Sequence, residues 1–196
     1  MRLLRLALVA LLLPAVLAPA RLEAGTVQRL ELEDLVGQCD LALEGRVLRV
    51  RALEPEPKRI ETEITLSVAR RLWGTCGREL VVRLPGGVLP DGRGLVLPGL
   101  PRMVEGEELV LFLSAESRRG TRMPVGLGQG RFRVERRAQG VKTLVRDQAE
   151  LEFYDPRTRQ SSQAEPLARF DYATVLAHIE AAAAQRRTRE TGGVRR

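Results

Sequence analysis

The sequence predicts a mainly β protein, a sandwich or a barrel, with a short helix ahead of the strands and a longer helix after them. Three observations predict it. Two long segments early in the chain alternate apolar and polar residues with period two. Several shorter strand-like segments follow, spaced by glycine-containing or polar turns. One alanine-rich segment near the C-terminus carries its apolar residues at helical spacing.

The first 20 residues, MRLLRLALVALLLPAVLAPA, are set apart from this fold. Arg2 and Arg5 give a positive start, Leu6 to Ala18 a short apolar run, and Ala18-Pro19-Ala20 the small residues a signal peptidase reads. Residues 1–20 are therefore expected to be a signal peptide, with cleavage as late as Ala24 as the alternative. The run is short of the ~20 apolar residues a spanning helix needs. No later segment is apolar enough to span, so no transmembrane segment is expected in the mature chain. Export to the periplasm or cell exterior follows.

Residues 27–38 (VQRLELEDLVGQ) space Leu30 and Leu35 in a roughly helical pattern and predict the short helix. Asp40 to Arg51 then alternates as a strand. Its parity slips after Val47, a slip that a bulge near Gly45 would absorb. Glu54 to Lys58 holds two prolines and predicts a turn or short open loop. Ile60 to Trp73 is the cleanest strand, with Ile60, Ile64, Leu66 and Val68 on one parity. A hairpin centred between Pro57 and Lys58 pairs Val47 with Val68, Leu43 with Leu72 and Cys39 with Cys76. In an oxidising compartment that juxtaposition predicts a disulfide, Cys39–Cys76, closing the open end of the hairpin. Such a bridge would contribute about 4 kcal/mol in the chain-entropy account.

Further strands are predicted at Glu79–Leu84, Glu108–Leu113, Met123–Leu127, Arg131–Glu135, Val141–Arg146 and Glu150–Tyr154. The segment ELVLFL at 108–113 is apolar on both parities, which marks a central strand. Residues 155–166 (DPRTRQSSQAEP) form a polar loop, and Phe170 to Arg187 a helix with Phe170, Val175, Leu176 and Ile179 on its apolar stripe. The organisation is thus a β domain over 25–155, a polar loop and C-terminal helix over 156–187, and a disordered basic tail over 188–196.

The run PGGVLPDGRGLVLPGLP from Pro85 invites comparison with a phosphate-binding loop. A phosphate loop opens a helix and carries Lys with Ser or Thr at fixed offsets. This run leads instead to a strand, so its glycines and prolines are expected to make turns. Gly126, Gly128 and Gly130 sit between predicted strands, not at a helix start, and are expected to make a bulge or tight hairpin.

Charge and catalytic inventory narrow the function. The chain carries a formal +7. Removing the two arginines of the leader and the net +4 of residues 186–196 leaves +1 for residues 21–185. A nucleic-acid binder concentrates basic residues on its fold, so no nucleic-acid partner is expected. His178 is the only histidine and sits in the predicted C-terminal helix, which leaves no ordinary catalytic triad and no good zinc set. No catalytic residue, cofactor or metal is expected, and the protein is not expected to be an enzyme.

The segments CDLALEGRVLRV, ETEITLSVARRLWG, VVRLPGG and PGLPRMVEGEELVLFL occur in that order. Together they resemble a family of uncharacterised exported bacterial proteins, and more distantly the netrin-like domain shared by tissue inhibitors of metalloproteinases and complement proteins. The resemblance covers most of residues 30–135. It implies a small OB-like β-barrel flanked by helices. Those inhibitors act through a cysteine at the mature N-terminus. Here cleavage would leave Arg21 or Gly25 first, with Cys39 internal, so the inhibitory residue does not carry over. The expected function is an exported, non-catalytic binding module for an extracytoplasmic protein or surface polymer. The alternative is an inhibitor or accessory protein of a secreted protease. The candidate binding loop is 85–106, with Gly86, Gly87, Arg93 and Arg102 as its candidate contact residues.

Overall fold

A computed structural model describes residues 25–193; the leader, both cleavage points and the last three residues lie outside the described residues. The elements are β1 (Gly25–Val27), α1 (Leu32–Gln38), β2 (Leu41–Glu56), β3 (Arg59–Trp73), β4 (Glu79–Pro85), β5 (Gly87–Val88), β6 (Gly94–Leu95) and β7 (Glu108–Leu113). A 3-10 turn (Leu127–Gly130) leads to β8 (Arg131–Arg136), and a second (Ala138–Gly140) to β9 (Lys142–Asp147). The chain ends with β10 (Leu151–Asp155), β11 (Gln160–Gln163), β12 (Leu167–Asp171) and α2 (Tyr172–Gly193).

Seven strands form one antiparallel sheet in the order β12-β9-β8-β7-β2-β3-β4. β7 is its middle strand, as its apolar run predicts. Alternate residues of β7 feed two cores. Val110 and Phe112 join Phe132, Leu144 and the apolar sides of α1 and α2 on one face. Leu109, Leu111 and Leu113 join Leu43, Ile64, Leu66 and Met103 on the other. The mainly β class and both helices are thus present, but the sheet is not closed: β4 and β12 are its edges. The expected barrel is an open sheet. The reason lies in the double burial. A barrel of this size leaves one strand face outward, whereas here helices cover one face and the 97–103 segment packs Leu100 and Met103 on the other.

The β2–β3 hairpin turns at Pro57-Lys58, the predicted centre, but the turn is shorter than the expected 54–58. β2 runs on through Pro55 to Glu56, which pairs with Arg59, and a register shift between Leu53 and Glu56 accommodates the proline in an irregular ladder. Register shifts fall between Ala42 and Leu43, Glu44 and Gly45, and Val47 and Arg49. Val47 therefore faces Leu66, not Val68, and Leu43 faces Arg71, not Leu72. The bulged residue after Val47 is Leu48, which points out to solvent and returns Val50 to the buried side. At Gly45 the strands approach so closely that a Cβ would lie 2.6 Å from the Ser67 carbonyl oxygen.

The predicted Cys39–Cys76 bridge is absent, and both thiols are free. The ladder ends at Ala42 and Trp73. Below it the strands part: the Asp40 N–H donates to the Leu113 carbonyl on β7, and Gly74 turns at φ +74° so that the chain doubles back and Arg78 accepts from Val68 N–H. Cys39 ends up in the helix-side core and Cys76 against the opposite core.

Other elements differ at their ends. Residues 25–27 pair in parallel with β10, so Val27, the first residue of the predicted helix, lies in a strand, and the helix occupies only 32–38. Residues 123–127 make no strand beyond the Leu113–Pro124 bridge. Gly126 and Leu127 both take left-handed φ and bend the chain into the 3-10 turn. The polar stretch 155–166 contains β11, and β12 precedes the last helix. Asp171 caps that helix by accepting from Thr174 N–H at 2.8 Å. The helix continues to Gly193, so residues 188–193 of the segment predicted as a disordered tail are helical.

Polar anchors fasten α2 to the sheet. Tyr172 donates to the buried Glu44 at 2.8 Å, and Lys142 sits 3.2 Å from the same carboxylate. Near the far end Arg186 donates to the Val36 and Cys39 carbonyls, both at 2.6 Å, and stacks 4.3 Å from the Trp73 ring centroid. It thereby satisfies carbonyls at the C-terminal end of α1 that have no partner within the helix.

Candidate functional site

The candidate loop 85–106 is placed by backbone geometry that glycine alone tolerates. Gly86 turns at φ +86°, and a Cβ there would lie 2.7 Å from the Leu95 carbonyl oxygen. Gly87, at φ +140°, would bring one within 2.5 Å of Thr62 Oγ1. Thr62 Oγ1 in turn donates to the Gly86 carbonyl at 2.8 Å. The run turns out of β4 into the β5–β6 ribbon and opens no helix, which bears out the turn reading over the phosphate-loop reading.

The loop returns across the sheet as the 97–103 segment. Gly128 N–H donates to the Gly99 carbonyl at 2.9 Å, and Leu151 lies where a Gly99 Cβ would be. Leu100, Pro101 and Arg102 line a cleft on either side of this segment.

The first cleft is an apolar groove of about 330 Å³ between the sheet and the ribbon. Ile64, Leu84, Leu97 and Met103 line it, with Val88, Leu95 and Val96 among its walls. Those last three are 54%, 43% and 58% exposed. Gly86, Gly87 and Arg102 belong to this groove, so three of the four candidate contact residues meet in one place. Arg93 does not join them. It is held by Glu54 at 2.8 Å and Asp91 at 2.9 Å, with its charged form favoured first by the Glu54 hydrogen bond. It braces the ribbon tip against the β2–β3 hairpin.

The second cleft, of about 690 Å³, gathers around the start of β7 and holds residues that the sequence reading did not single out. It is lined by five arginines and five carboxylates. Glu107 is buried against Arg131. Glu108 is gripped from two sides, by Arg46 at 2.5 Å and Arg136 at 2.8 Å, and the Arg136 hydrogen bond leads in holding its carboxyl below the usual range. Arg46 and Glu108 are cross-strand partners on β2 and β7. Only non-local pairing assembles the set. The signal that was available is the alternation RFRVER, which gives Arg131 and Arg133 one common strand face.

His178 is exposed on α2. Among the described residues no group of three or more His, Cys, Asp or Glu side chains is placed to hold a metal ion. No helix among them is long and apolar enough to cross a membrane. No protein-family model matches the chain, and no curated protein is significantly similar to it.

Proposed function

We propose that this chain is an exported, non-catalytic binding module, and that it meets an extracytoplasmic protein through the apolar groove beside the β5–β6 ribbon. The observation that carries the reading is the exposure of Val88, Leu95 and Val96 together at one groove. Exposed apolar residues scattered singly need no explanation, whereas a cluster beside a concave surface is the usual signature of an interaction site. The groove floor is held by the main sheet, so an incoming side chain meets a formed surface and little ordering is required on binding. Export rests on the charge, length and small-residue pattern of residues 1–20.

The test is affinity capture from the extracytoplasmic fraction of the source cells, with wild-type protein beside Val88→Asp and Val96→Asp variants. The reading predicts a partner retained by wild type and lost with either variant, since a charge in a contact patch must be desolvated without a counter-ion. Retention unchanged by both variants would contradict it. A retained metalloprotease whose activity falls with added protein would turn the module into the inhibitor considered above.

A further inference from the structure

We infer that the second cleft binds one carboxylate carried by an otherwise uncharged small molecule, an activity separate from the apolar groove. Three features converge on it. First, three cleft-lining side chains hold buried donors that lack an acceptor: Arg131 Nε, Arg133 Nε and Gln148 Nε2. Arg131 and Gln148 are 7% and 5% exposed, so bulk water does not compensate them freely. The unpartnered buried atoms that line this cleft are all donors. Second, two guanidinium groups, Arg46 and Arg136, share the single carboxylate of Glu108. That leaves a local excess of positive charge with planar donors, the geometry suited to a further oxyanion. Third, Arg102 at the cleft wall forms no ion pair among the described residues.

The whole lining nevertheless carries as many acidic as basic groups. A long-range positive field is missing, so a polyanion gains nothing from the cleft as a whole. Selection then falls to local hydrogen-bond geometry, which favours a single compact charge. A cleft of about 690 Å³ has room for a molecule well beyond the carboxylate itself. Asp147 and Glu150 at its wall can accept from hydroxyl or amide groups on that remainder.

The test is a titration of the purified, ¹⁵N-labelled protein followed through the Gln148 side-chain amide and the arginine Nε–H signals. The probes are acetate, lactate and glucuronate, with glucuronamide as the uncharged match and inorganic phosphate as the competing oxyanion. The inference predicts saturable shifts at Gln148 and Arg131 with at least one carboxylate, and binding about tenfold tighter than that of glucuronamide or phosphate. Arg46→Gln and Arg136→Gln each weaken that binding about tenfold. Both side chains are more than half exposed, so both variants are expected to fold, and melting curves confirm it. No saturable shift with any carboxylate overturns the inference. So does equal response to glucuronamide, tighter binding of phosphate, or affinity indifferent to both variants. Neither substitution touches the apolar groove, so its capture experiment stands or falls independently.

Discussion

The two cysteines are governed by which face of the main sheet they enter. Cys39 is in the helix-side core, where burial pushes its thiol up to about 11. Cys76 is half-buried on the opposite side and raised less, again by burial. At pH 8 Cys39 is therefore almost wholly protonated and shielded, and Cys76 is the more reactive thiol. Iodoacetamide labelling of native protein followed by peptide mapping should modify Cys76 first and Cys39 only on unfolding. Recovery of a linked Cys39–Cys76 peptide would contradict the separation. The disulfide expectation failed for a local reason. The hairpin arithmetic is right at both ends of the ladder, at Glu56–Arg59 and Ala42–Trp73, but it ceases to apply once the strands part. Gln129 shows the reverse case, a residue whose role no pattern announced. It is fully buried, accepts from Leu30 N–H at 2.8 Å and donates to the Gln28 carbonyl at 2.8 Å, and so ties the N-terminal segment to the glycine-rich turn.

Among the elements, those with strong period-two patterns were legible. β2, β3, β4 and β7 lie within a few residues of their expected positions because each buries one or both faces in the main sheet. β1, β11 and β12 were not foreseen. They are three to five residues long, and their sequences give no alternation, since β11 is exposed throughout. α2 was foreseen from its stripe, but its anchorage was not. Arg186 joins α1, β3 and α2 through two carbonyls and an indole ring, contacts that sequence spacing cannot express. Replacing Arg186 with Ala removes hydrogen bonds from a charged donor and should cost about 1.5–3 kcal/mol by urea denaturation. Removing residues 188–196 should cost far less, because residues 188–191 are exposed and their one ion pair, Arg186–Glu190, lies at the surface. Equal losses in the two proteins would show that the helix end, not the Arg186 anchor, holds α2 in place.

At the scale of the whole molecule, the open seven-stranded sheet has both faces covered, and a concavity lies on either side of the 97–103 segment. The groove was partly legible because its walls come from one contiguous glycine- and proline-rich run. The arginine-lined cleft was not, because residues 46, 108, 131 and 136 meet only through the order β8-β7-β2. The central claim is that partners are met at the ribbon side of that segment. A photoreactive residue placed at Val96, with one at Val141 as an exposed control, tests it in the cells that make the protein. The account predicts a discrete cross-linked protein from position 96 and none from position 141. No adduct at 96, or the same adducts from both positions, would contradict it.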